Sequence, residues 1–210
     1  MADDFHKPAM FGGREFEAFA GRELDPAVLL RTAHQTAHAL LARARDSDDP
    51  AVVERLVSYT DDHGIDALAE LWARSSPHSL PGALWRIYLI RVLIRQDPEG
   101  VALLFQRGTE VLSTIDPVVA GAPLPAGPTE ITELADRILR GVFDGAFAIA
   151  LERAAAFCRV AAAGALSVAD DQDAASPDRA SELTTRAQRL VITADELMAC
   201  ARMSRADTLD

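Results

Sequence analysis

Seven residues separate each of Ala180, Ala187, Ala194 and Ala201 from the next, and Leu183, Leu190 and Leu197 follow the first three alanines at a distance of three. An apolar 3–4 alternation kept over three heptads is compatible with an α-helix and with almost nothing else, since a strand would scatter these positions over both faces. The segment 144–169 places Ala148, Ala155, Ala162 and Ala169 at the same spacing. Only DDQDAAS (170–176) separates the two, which forces an antiparallel hairpin. Alanine on both seams lets the helix axes approach near the low end of about 8–10 Å, over a length of about 39 Å at 1.5 Å per residue. Val191 and Met198 flank the stripe and are expected to face the rest of the protein. With a covalently attached partner helix at hand, the stripe is expected to be an internal core; a dimer seam is the alternative.

The rest of the chain carries the same signal. No segment alternates with period two over six residues between turn residues. Asp-Pro at 25–26, 49–50, 97–98 and 116–117 and Ser-Pro at 176–177 read as helix starts, because Asp or Ser accepts from orphan amides and proline at the first helical position gives up no bonded donor. Helices are expected over 26–45, 50–61, 65–75, 81–96, 98–114, 129–142, 144–169 and 177–204, with Gly64 and Gly108 as breaks between short helices. The fold expected is all-α: short helical layers packed on a long antiparallel C-terminal hairpin. Its parts are an irregular arm over 1–24 holding Phe5, Phe11, Phe16 and Phe19, a layered region over 25–115, a Pro-rich strap over 116–128 and the C-terminal helices over 129–204. The arm is expected to lie over the chain's own core, with exchange between subunits as the alternative. The strap (DPVVAGAPLPAGP) is expected to run extended along the surface, with a binding loop or lid as the alternative.

Residues 49–72 (DPAVVERLVSYTDDHGIDALAELW) and 97–112 (DPEGVALLFQRGTEVL) share an order of Asp-Pro, short apolar helix, glycine and second apolar helix, with 44 residues from Gly64 to Gly108. Between them lies SLPGALWRIYLIRVLIRQ, a longer helix. Over 26–115 this order resembles the armadillo and HEAT repeats, whose period is about 40–47 residues. HGIDALAELW looks like a second-helix entry and Ala83-Leu84-Trp85 like a third-helix core. The resemblance implies a helical stack able to hold a protein partner. In peptide-binding armadillo proteins the third-helix Trp is followed one turn later by Asn. Trp85 matches the Trp, but Leu89 stands at the Asn position and can neither donate to nor accept from a peptide backbone.

Composition excludes several functions. A net charge of -11 argues against a nucleic-acid binder. Lys7 is the single lysine among 21 basic residues, asparagine is absent and there are 39 alanines. That bias reads as a high-GC bacterial genome and lowers the weight of any arginine count. Cys158 and Cys200 sit among apolar neighbours and are expected as buried thiols of a reducing cytoplasm, with one disulfide as the alternative. Asp3, Asp4 and Lys7 precede no apolar h-region, so no signal peptide is expected. The longest uncharged helical run, 160–169, is far short of the ~20 residues of a spanning helix. The chain is therefore expected in the cytoplasm.

Two constellations carry candidate chemistry. His34 and His38 share one helix face and could hold a metal, but the insert Gln-Thr-Ala lacks the glutamate of H-E-x-x-H, and Asp61, Asp62 or His63 would have to supply a third ligand. Arg91 and Arg95 share a face with Leu84 and Tyr88 on an almost wholly apolar helix, beside Trp85. These arginines require carboxylates, with Asp61, Asp62, Asp66 and Glu70 nearby in sequence, or an anionic ligand. The Asp-rich stretches 46–66 and 170–173 lack the order of an EF-hand loop and read as caps and turns. No P-loop, G-x-G-x-x-G, C-x-x-C or G-x-S-x-G occurs. The function expected is a non-catalytic scaffold or partner-binding protein without a cofactor, binding a protein partner or itself through Trp85, Tyr88, Arg91 and Arg95, with no nucleic acid and no membrane. The alternatives are a metal- or anion-dependent helical enzyme and a small-ligand-binding regulatory module.

Overall fold

The computed structural model describes residues 26–45, 71–143 and 146–210. Among them are seven helices and no strand: α1 (Pro26–Arg45), α2 (Leu80–Gln96), α3 (Pro98–Val111), α4 (Asp116–Ala120), α5 (Pro128–Phe143), α6 (Phe147–Gln172) and α7 (Pro177–Arg205). Residues 71–73 are helical as well. The N-terminal arm, the helix expected over 50–61, most of that over 65–75, and Gly64 lie outside the described residues.

Local chemistry sets the helix starts. The Ser79 hydroxyl accepts from the Gly82 amide at 3.3 Å and Pro81 follows inside the first turn. Asp97 ends α2 and caps α3, its carboxylate accepting from the Gly100 amide at 2.9 Å. Two expected caps behave differently. Ser176 stands at the N-cap of α7 without a side-chain bond. Asp116 is the first residue of α4, with Ile115 at the cap position. Its carboxylate turns instead to the Thr114 hydroxyl at 2.8 Å and to Arg159.

α6 is the centre of the molecule. α7 runs antiparallel along it, α3 crosses it, and α4 and α5 pack on it. The expected hairpin is present, with α6 carried on to Gln172 and the turn shortened to 173–176. All seven seam residues of α7 are buried: Ala180, Leu183, Ala187, Leu190, Ala194, Leu197 and Ala201. On α6, the helix they pack against in the same chain, Ala155, Ala162 and Ala169 are buried as well, whereas Ala148 is only half-buried. Met198 packs against the core. Val191 does not: it stands exposed, because one residue past Leu190 is a rotation of about 100° off the seam.

Gly108 is not a break. It lies buried inside the uninterrupted helix α3, where α3 crosses α6. A Cβ on Gly108 would collide with the Val160 carbonyl oxygen, and one on Gly164 would collide with the Leu104 carbonyl oxygen and stand 2.8 Å from the Gly108 amide nitrogen. The two glycines let backbone touch backbone. Phe105 and Phe157 stack beside them, ring centroids 5.8 Å apart. The helix–glycine–helix order read over 97–112 is therefore absent, and the armadillo-like unit is not formed there. Its other copy, over 49–72, falls mostly outside the described residues.

On the other side of the core, α1 packs on α2 and α2 on α5. The Trp72 indole is buried and donates to the Thr36 hydroxyl of α1 at 3.1 Å. No helix among the described residues is long and apolar enough to cross a membrane.

Candidate functional site

Among the described residues, the arginine face pairs with an acid of α5. Arg91 is buried, and its Nε lies 3.3 Å from Asp136 Oδ1; Arg95 Nη2 lies 3.4 Å from the same oxygen. Asp136 sits 45 residues away along the chain from Arg91 and was not among the acids the sequence suggested. Asp61, Asp62, Asp66 and Glu70 lie outside the described residues. Trp85 and Tyr88 stack on each other with centroids 5.7 Å apart and an interplanar angle of 26°, both half-buried. Arg86, one residue on, leaves this face and pairs with Glu196 of α7 at 2.5 Å, while Nη1 donates to the Gly82 carbonyl.

His34 and His38 converge on Asp210, which sequence gave no means of placing there. His38 Nε2 lies 2.8 Å and His34 Nδ1 3.8 Å from Asp210 Oδ1. The hydrogen bond with His38 and the nearby charge of His34 hold the Asp210 carboxyl below its ordinary value. The Leu80 amide donates to the Asp210 carbonyl at 2.8 Å, so the same residue ties α1 to the start of α2. Among the described residues no group of three or more His, Cys, Asp or Glu side chains is placed to hold a metal ion. Asp61, Asp62 and His63, the third ligands sequence offered, are outside them.

Both cysteines are buried free thiols. Burial pushes Cys158 up to about 12 and Cys200 up to about 11, far from the thiolate that nucleophilic or metal chemistry requires. Cys200 donates to the Pro77 carbonyl at 3.3 Å.

The Pro-rich strap is pinned from three helices. Gln106 of α3 donates to the Ala126 carbonyl at 2.9 Å, Arg137 of α5 to the Gly121 carbonyl at 2.6 Å, and Arg159 of α6 pairs with Asp116 at 2.6 Å. Ala120 and Ala126 are buried beneath it. Gly121, with φ 77°, closes α4 in the left-handed region, where a side chain would be strained. The first third of the strap is thus a helical turn, not extended chain. What this rigid seat turns outward is apolar: Ile115 is 75% exposed, Val118 82% and Leu124 63%. Val118 and Leu124 line one shallow groove of 490 Å³ together with Pro117, Ala122 and Pro123.

A second groove, of 720 Å³, runs between α2 and α7 and is lined by Leu89, Leu93, Leu190, Arg186 and Arg189 among others. Comparison with protein-family models, with curated proteins and with solved structures finds no match to this chain.

Proposed function

We propose that this chain is a non-catalytic helical scaffold that binds a protein partner, and that the strap surface around Ile115, Val118 and Leu124 is a contact face. The observation that carries this reading is the combination of pinning and exposure. Three side chains from three helices hold the strap in one shape while its largest apolar side chains face outward. Apolar side chains exposed together mark interaction sites, and a surface ordered before binding loses little conformational entropy on docking. The buried thiols, held far from the thiolate, and the pairing of Arg91 and Arg95 with Asp136 are in keeping with the same reading. The Trp85–Tyr88 stack with Arg91 and Arg95 is a further candidate contact region, as aromatic and arginine side chains recur at interface centres.

The test is capture from a native lysate by the full chain, compared with Ile115→Glu/Val118→Glu. Both side chains are exposed, so the double variant should keep its thermal midpoint. It should lose a partner that the parent retains in stoichiometric amount. Retention of the same partner by the variant would overturn the strap as contact face. Stoichiometric zinc, iron or manganese in the purified protein would replace this reading with a metal-dependent one.

A further inference from the structure

The groove between α2 and α7 differs from the strap in carrying charge. Its floor is apolar, built from Ile90, Leu93 and Leu190, and Leu89 stands 42% exposed at its lip. Arg186 and Arg189 of α7 flank that floor. Glu182 lines the groove as well, and both it and the nearby Asp97 are held by other groups. Glu182 accepts from Arg179 at 3.1 Å, and Asp97 is bound to the Gly100 amide as the cap of α3. Arg186 is half-buried, and its Nε is shut off from solvent without any acceptor. Burial weakens its hold on the proton, against a raising influence from Asp97. A guanidinium taken partly out of water and left without a bonded carboxylate is a costly arrangement; Nε itself is closed off, but the terminal nitrogens are not, and a carboxylate arriving from outside would offset the buried charge through a charge-assisted bond to them.

We propose that the α2/α7 groove docks an amphipathic helix of a protein partner, leucine-type side chains on the floor and acidic side chains against Arg186 and Arg189. The inference rests on the partner-binding reading above and names a second surface for it. Charge complementarity selects an acidic segment, because the uncommitted charges of the groove are arginines. The groove's shape selects a helix over a small molecule. From Ser181 to Thr193 it runs about 18 Å at 1.5 Å per residue, three turns of helix, and it is open along its length. Small-ligand sites enclose most of their ligand, whereas a helix laid in a groove buries one face through anchors at i, i+3, i+4 and i+7.

The probe is a fluorescein-labelled 15-residue helical peptide with leucines at i, i+3, i+4 and i+7 flanked by glutamates, titrated into the full chain and followed by anisotropy. A second peptide carries lysine at every glutamate position. The acidic peptide should bind saturably, and the lysine peptide about tenfold more weakly or worse. Arg186→Gln should weaken the acidic peptide about fivefold or more and leave the lysine peptide unaffected. Leu89→Glu should abolish binding with the thermal midpoint unchanged, since Leu89 stands at the lip. Absence of saturable binding, or equal binding of the two peptides, would overturn the proposal. Arg186-dependent binding of dodecanoate without peptide binding would overturn it in favour of a small amphiphile. Concentration-dependent self-association lost in Leu89→Glu would overturn it in favour of a second copy of the chain. Ile115→Glu/Val118→Glu should leave peptide binding untouched. Peptide failure alongside strap-dependent partner capture would therefore remove the groove and keep the function.

Discussion

The two flanks of α6 are packed by opposite means. Along α7 the contact is long and repetitive, alanine and leucine returning every seven residues over Ala180–Ala201, all buried. Against α3 the contact runs along a helix half as long and is set by Gly108 and Gly164, which bring the two backbones together next to one aromatic stack. A repeated seam spreads its stabilisation over many similar residues. A crossing at glycine concentrates its tolerance in a few atoms, because carbonyl oxygens cannot yield as side chains do.

The seam should show the larger loss for a single truncation. Leu197→Ala, at a fully buried seam position outside the α2/α7 groove, leaves a hole under α7 and should cost about 2–5 kcal/mol in urea unfolding. It should not alter the molar mass measured by light scattering, since the seam closes within one chain. A dimer turned into a folded monomer would move the seam between subunits.

The crossing should respond to addition. Gly164→Ala places a methyl group against the Leu104 carbonyl and should cost about 1–3 kcal/mol. Gly108→Ala should cost a similar amount. Because both glycines serve one approach, the double variant should lose less than the sum, which a double-mutant cycle measures. Strict additivity would mean that α3 and α6 do not meet through these two residues.

The smallest effect belongs to the ion pair that ties α4 to α6. Burial alone would raise the Asp116 carboxyl, but hydrogen bonds from Arg159 and Thr114 and the Arg159 charge outweigh it and hold the group below its ordinary value of 3.8. A carboxylate depressed in the folded state contributes stability that is complete above the unfolded value and vanishes as pH falls through the folded one. As pH falls below about 4 the parent should therefore lose about 1 kcal/mol or less that Asp116→Asn never had. Parallel acid limbs for parent and variant would show the pair to be energetically silent.

The same contrast explains what could be read from residues alone. A period is visible in sequence because it repeats, so the α6–α7 hairpin and its seam positions were legible to within a few residues. A glycine carries no pattern, and its usual meaning at the end of an apolar run is a stop. Gly108 looks like such a stop because its reason for being glycine, the Val160 carbonyl, lies on a helix 52 residues further on. The sites follow suit. That Arg91 and Arg95 needed a carboxylate followed from an apolar helix, yet that Asp136 is one of those that answers depends on α5 packing on α2. Asp210 reached His34 and His38 for a similar reason. Local demands are written locally, and the groups that meet them are chosen by the fold.

Asp97 closes one helix and opens the next with no residue to spare between them. In an α-helix each residue advances the direction of the side chains by about 100°. One amino acid inserted at this joint would swing Gly108 away from α6 and present a bulkier neighbour to the Val160 carbonyl. The chain is thus locked in length at residue 97, while the turn at 173–176, which only has to reverse direction, can absorb extra residues. The joint at Asp97 and the turn at 173–176 therefore differ in the insertions they can tolerate.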